Sequence, residues 1–155
     1  MITRIIPDAV AMEHLGAAFA PLLRAGDLVL LNGELGAGKT TFTRGLGAAL
    51  GARGAVTSPT FVLARSHPTA SGVPLVHVDA YRLATAIEVD DLDLDLTGSI
   101  TVVEWGAGKL DGAAEAWIDI DIERPIGGDP DAEDEPRIVR IRPVGERWAD
   151  FSLVE

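Results

Sequence analysis

Residues 33 to 40 read Gly33-Glu34-Leu35-Gly36-Ala37-Gly38-Lys39-Thr40, which fits G-x-x-x-x-G-K-[ST] at every fixed position. The stretch before it, Asp27-Leu28-Val29-Leu30-Leu31-Asn32, is apolar and of buried-strand length, and after it Phe42, Leu46, Ala49 and Leu50 recur at helical intervals. The pattern therefore sits between a strand and a helix, where its mechanism requires it. Glycines let the backbone curl so that successive N–H groups converge on phosphate oxygens, and the helix N-terminus adds a favourable dipole. Lys39 then reaches the terminal phosphates and the Thr40 hydroxyl can ligate magnesium. Such a loop in this setting is expected to bind a nucleoside triphosphate.

Composition narrows the setting. With 155 residues, 47% of them hydrophobic, one core and a single domain over residues 1–155 are expected. There are no cysteines, so disulfides and thiolate metal sites are excluded and a reducing compartment is the natural one. No leading apolar segment and no run of membrane-spanning length occurs, which predicts a soluble cytoplasmic protein without a membrane partner. Thirteen basic against twenty-four acidic residues give a net charge of −11. That surface repels phosphate backbones, so free-standing nucleic-acid binding is not expected, although an acidic chain can serve nucleic-acid chemistry through a basic partner.

Along the chain, Ile2 to Ile6 reads as a short strand stopped by Pro7, and Asp8 as the N-cap of a helix whose apolar face carries Met12, Leu15, Phe19 and Leu22 or Leu23. Pro21 should kink or shorten its last turn, and Gly26 ends it. His67 to Gly72 is turn-rich and suggests a hairpin into the strand Leu75 to Asp79. Residues 84 to 98 alternate Leu and Asp without one clean period and read as a short helix and a loop. Ile100 to Val103 is a further buried strand, ending at Glu104-Trp105. Trp117 to Glu123 alternates strictly, and Arg140 and Arg142 on the strand Arg137 to Arg142 can pair across a hairpin with Asp119 and Asp121. The acidic Gly- and Pro-rich stretch between them reads as a solvated loop. Strands and helices alternate in the first half and strands dominate the second, giving an α/β fold. Its expected form is a P-loop NTPase-like three-layer arrangement, with a central mixed sheet and antiparallel additions from the C-terminal half.

A triphosphate site needs a carboxylate near the metal, a group that orients water, and a segment that senses the γ-phosphate. Asp79 and Glu104 each end an apolar strand, where ligands of open α/β sheets collect, and two strand-end acids suit a hard cation. Ser58-Pro59-Thr60 follows the loop helix, where nucleotide switches carry a γ-phosphate-sensing hydroxyl. His77 alternates with Asp79 and so can share its face, but a lone histidine in an apolar strand reads first as core. Gly106-Ala107-Gly108-Lys109 is not a second loop, because Val103 and Leu110 stand where Gly and Ser or Thr belong. No N-K-x-D guanine signature is present, so adenine is the expected base.

Four blocks, Gly33 to Gly45, Ser58-Pro59-Thr60-Phe61, His77-Val78-Asp79-Ala80-Tyr81-Arg82-Leu83 and Glu104-Trp105, together resemble the bacterial TsaE family in order and spacing. The resemblance implies a small, partner-activated Mg-dependent ATPase required for threonylcarbamoyladenosine modification of tRNA. It implies work with the threonylcarbamoyl-transferase subunit TsaD and its paralogue TsaB, ATP hydrolysis resetting the complex and tRNA being met only through it. Carried over by motif, Gly33, Glu34, Leu35, Gly36, Ala37, Gly38 and Lys39 hold the phosphates of ATP. Thr40 and Glu104 bind Mg2+, Thr41 touches the α-phosphate, and Asp79 is the Walker-B-like acid. Ser58 to Thr60 form the first switch, Trp105 lies near the site, and Pro7 and Asp8 border the adenine. Residues 124 to 155 carry almost none of the resemblance. A stand-alone P-loop small-molecule kinase is the alternative, but Arg44, Arg53 and Arg65 are scattered and no arginine-bearing lid is evident.

Overall fold

The computed structural model describes residues 1–34, 37–53, 64–79, 97–104, 115–124 and 136–153. Among them seven strands form one sheet: β1 (Ile2–Ile6), β2 (Leu28–Gly33), β3 (Ala64–His67), β4 (Leu75–Asp79), β5 (Ile100–Glu104), β6 (Trp117–Glu123) and β7 (Arg137–Val144), in the order β1-β7-β6-β2-β5-β4-β3. β6, β2, β5 and β4 run parallel, while β7 lies antiparallel to β6, β1 to β7 and β3 to β4. This is the expected mixed sheet of an α/β fold. The antiparallel additions include β7 from the C-terminal half and also the N-terminal strand β1 and the hairpin strand β3. The loop segment 84 to 98 falls outside the described residues up to position 96, as does the acidic stretch up to position 135.

The parallel centre explains the sequence of its strands. Leu28 to Leu31 and all five residues of β5 are buried, because a central parallel strand is covered on both faces and cannot alternate. β6 pairs β2 on one side and β7 on the other and does alternate, with Ile118, Ile120 and Ile122 buried. Across β6 and β7, Arg142 bonds Asp119 at 2.8 Å as its register allows, whereas Arg140 donates to Glu123 at 2.6 Å.

Both described α-helices, α1 (Ala9–Phe19) and α2 (Lys39–Leu50), pack on the face that carries Val29, Leu31, Val102, Ile118, Ile120 and Ile141. Asp8 caps α1 by accepting the Ala11 N–H at 2.8 Å, which satisfies a donor the helix cannot pair itself. Met12, Leu15, Phe19 and Leu23 are buried, and beyond Phe19 the helix tightens into a 3-10 turn, Ala20–Leu22, at Pro21. The two helices cross with their backbones touching. A Cβ on Gly16 would stand 2.0 Å from the Phe42 carbonyl oxygen, and one on Gly45 would stand 2.0 Å from that of Glu13. Phe19 then meets Phe42 edge-to-face at 5.4 Å between ring centroids and Phe151 at 5.9 Å.

The C-terminal segment is tied back under the sheet. Arg147, in the 3-10 turn Glu146–Trp148, grips Asp27 through Nε (3.3 Å) and Nη2 (3.1 Å), donates to the Leu22 carbonyl at 3.0 Å, and lies 4.0 Å over the Trp148 ring. Asp27 just precedes β2, so this contact fixes the amino end of the strand that leads into the glycine-rich loop. No described helix is long and apolar enough to cross a membrane.

Candidate functional site at the carboxyl ends of the parallel strands

The register lines up three strand ends. Leu31 of β2 is the neighbour of Glu104 on β5, and Glu104 is the neighbour of Asp79 on β4. Open α/β sheets place their ligands beyond this edge, and the loop between β2 and α2 begins there.

The loop's shape is set by what surrounds it. A side chain on Gly33 would meet the Ile122 carbonyl oxygen at 2.6 Å, so β6 passes too close for any other residue. Gly38 has φ 119° and ψ 14°, a backbone that favours glycine, and Met12 of α1 packs against it at 3.2 Å from a notional Cβ. Between them the Ala37 N–H returns to the Glu34 carbonyl at 3.0 Å, and the Phe42 N–H to the Gly38 carbonyl at 2.9 Å opens α2. Ala37 is packed into the core and its carbonyl accepts from Nε of Arg137 at 3.1 Å. Leu35 and Gly36 lie outside the described residues.

Lys39, the first residue of α2, is only 5% exposed, and its ammonium is held by the carbonyls of Gly33 (2.7 Å) and Glu34 (2.9 Å). The positive charge is thus folded back onto the start of the loop. Thr40 Oγ1 stands 3.5 Å from Glu104 Oε2, which brings the two expected metal ligands together from positions 64 apart. Thr41 lies half-buried in the same first turn.

Glu104 is 5% exposed, and its Oε2 also receives a hydrogen bond from Nε2 of His77, which is fully buried. A carboxylate only accepts, so Nε2 is the donor. Nδ1 of His77 has no partner among the described residues. His77 is therefore not plain core: it is the group that holds the Glu104 carboxylate. Its alternation with Asp79 was the one sequence signal for this, and the register puts His77 opposite Val102, two residues before the Asp79–Glu104 pair.

The other sequence-derived candidates divide cleanly. Asp8 is engaged as the cap of α1, one turn before the Met12 that packs on Gly38. Asp79 is placed by backbone register beside Glu104. Ser58, Thr60 and Trp105 lie outside the described residues. Arg137 was missed: alternation along β7 places it on the face of the buried Val139 and Ile141, but its bond to Ala37 spans 100 positions.

Chemically, the arrangement offers an ammonium and a helix N-terminus for phosphate oxygens, and a hydroxyl with a carboxylate for a hard cation. Among the described residues no group of three or more His, Asp or Glu side chains could enclose a metal. Two protein oxygens completed by water and phosphate are the usual setting for magnesium, so the donor set fits that ion.

Fold and site define an α/β protein built around a strand, a glycine-rich lysine-bearing loop and a helix, with acids at the neighbouring strand ends. The chain belongs to the TsaE family: the family model described as Threonylcarbamoyl adenosine biosynthesis protein TsaE matches residues 6–127. Proteins named tRNA threonylcarbamoyladenosine biosynthesis protein TsaE are similar to it along most of its length. That of Streptomyces coelicolor is 58% identical over 142 residues, covering 89% of this chain and 94% of its own. That of Mycobacterium leprae is 43% identical over 134 residues, covering 80% and 81%. The crystal structure of Bacillus subtilis YdiB superposes with a TM-score of 0.71 at 28% identity, covering 95% of this chain and 88% of that one.

Proposed function

We propose that this chain is a Mg-dependent ATP hydrolase of low activity alone, serving the threonylcarbamoyladenosine modification of tRNA as an accessory to the TsaD–TsaB transferase complex in the cytoplasm. The observation that carries the reading is the Thr40–Glu104 pair, 3.5 Å apart, beside the loop that holds Lys39. Family membership supplies the pathway, because the family and its relatives are named for that biosynthesis.

In this reading the loop amides of Gly33 to Thr40 bind the phosphates, with Lys39 leaving its two carbonyl partners to neutralise the terminal ones. Thr40 and Glu104 hold Mg2+, which when bound offsets charge on the phosphate oxygens. His77 keeps the Glu104 carboxylate in place through Nε2. Asp79 accepts the proton of the attacking water, Ser58 and Thr60 sense the terminal phosphate, and Thr41, Trp105 and Asp8 border the nucleotide. The net charge of −11 fits a subunit that leaves tRNA contact to its partners.

Phosphate release from ATP, measured with the purified chain alone and with the transferase subunit and its paralogue added, tests this. Feeble release that rises only with those partners is the expected result. Brisk release without them, or transfer to a small acceptor, overturns it in favour of a stand-alone kinase.

A further inference from the structure

From the contact between β7 and the glycine-rich loop we infer that Arg137 is a positioning residue for nucleotide binding, aiming the Gly38 N–H at the β-phosphate through the carbonyl of Ala37. The inference rests on the nucleotide reading above and adds a residue to it.

Arg137 is 9% exposed at the start of β7, which runs antiparallel to β6 and so begins at the same sheet edge as the loop. Its backbone is fixed there by pairing with Ile6 of β1, and the neighbouring Ile138 pairs with Glu123 of β6. From that rigid base its Nε–H donates to the Ala37 carbonyl at 3.1 Å. The Ala37–Gly38 peptide is trans, and in a planar trans peptide the C=O and the following N–H point in opposite directions. Holding the oxygen toward β7 therefore turns the Gly38 N–H away from β7. Gly38 needs such a hold, because its φ of 119° is one that glycine can leave at little cost. Met12 packs on one side of Gly38 and the first turn of α2 follows on the other. The amide so aimed adjoins Lys39, whose ammonium serves the outer phosphates.

The geometry separates two kinds of nucleotide. An amide aimed beside Lys39 concerns the outer phosphates, not the nucleoside. In Arg137→Met, which keeps an apolar chain of similar length without the donor, the Kd of a fluorescent ADP analogue should rise about tenfold, the weight of one charge-assisted hydrogen bond. The Kd of AMP, read by displacement, should change less than threefold, and Arg137→Lys, which retains a donor, should recover most of the ADP affinity. Equal losses for ADP and AMP, or none for ADP, overturn the inference and leave Arg137 a purely structural residue. A second measurement needs no variant: in protein labelled with [15N]glycine, the Gly38 amide resonance should move on adding ADP and stay put with AMP. A Gly38 resonance unmoved by ADP overturns the inference even if Arg137→Met fails to fold. Wild-type protein that binds neither nucleotide overturns the underlying reading, a separate and recognisable failure.

Discussion

His77 and Glu104, 27 positions apart on adjacent parallel strands, meet through Nε2 and Oε2, and that same oxygen faces the Thr40 hydroxyl at 3.5 Å. A fully buried imidazole thus restrains the carboxylate that the proposed chemistry needs. The pairing makes the strand order β2-β5-β4 part of the site, because β5 brings the acid to the loop and β4 brings the histidine to the acid.

Replacing His77 should show this. His77→Leu leaves the buried Glu104 with only the distant Thr40 hydroxyl as a donor and should lower stability by about 1–3 kcal/mol, the cost of an under-satisfied buried group. It should also raise the Mg2+ concentration needed for half-maximal hydrolysis several-fold. His77→Gln, whose amide can supply a donor near the Nε2 position, should restore much of both. Urea unfolding and a magnesium titration read the two effects, and a Leu variant with the wild-type magnesium midpoint would remove His77 from the site.

Glu104→Gln keeps the shape and removes the charge. Hydrolysis in the presence of the partners should fall by about 10²–10³-fold, the scale seen when one preorganised electrostatic group is lost. ADP affinity measured without magnesium should stay within about threefold of wild type, since the loop amides and Lys39 are proposed to carry that binding. Comparable loss of metal-free binding would mean that Glu104 acts on the fold of the loop.

The crossing of α1 and α2 predicts an unusual response to alanine. Gly16→Ala and Gly45→Ala each raise helix propensity by about 1 kcal/mol. Each also drives a methyl to 2.0 Å from a backbone oxygen of the other helix, which no side-chain rotation relieves. Overpacking of this kind costs about 1–3 kcal/mol, so chemical denaturation should show a net loss in both variants. A midpoint equal to or above wild type would show that the helices separate without cost.

The clamp between Arg147 and Asp27 should matter more than a surface pair. Asp27 is buried and also accepts the Arg24 N–H at 2.8 Å, so removing Arg147 strands part of a buried carboxylate. A double-mutant cycle over Arg147→Ala and Asp27→Asn should give a coupling of about 1–2 kcal/mol, where exposed pairs give a few tenths. A coupling below about 0.5 kcal/mol would place it among the latter.

What could be read without coordinates was whatever lies in consecutive residues. The strand and the helix that flank the glycine-rich loop, the N-cap at Asp8, the break at Pro21 and the alternation of Trp117 to Glu123 all follow from local sterics, capping and periodicity, and each stands in the structure. The acids at the ends of β4 and β5 were legible because an apolar run that stops at Asp or Glu marks a strand end. Which acid faces Thr40, and that His77 holds it, depended on which strands become neighbours and in what register. Those choices are settled by burial of whole faces, and no short stretch encodes them. Arg137 is the extreme case: strand alternation sets it on the face of Val139 and Ile141, opposite Arg140 and Arg142, but does not name its partner. Only the folding of β7 against β6 carries it 100 positions back to Ala37. The sequence by itself determined the parts that local geometry dictates, and the tertiary structure alone decided which of them touch.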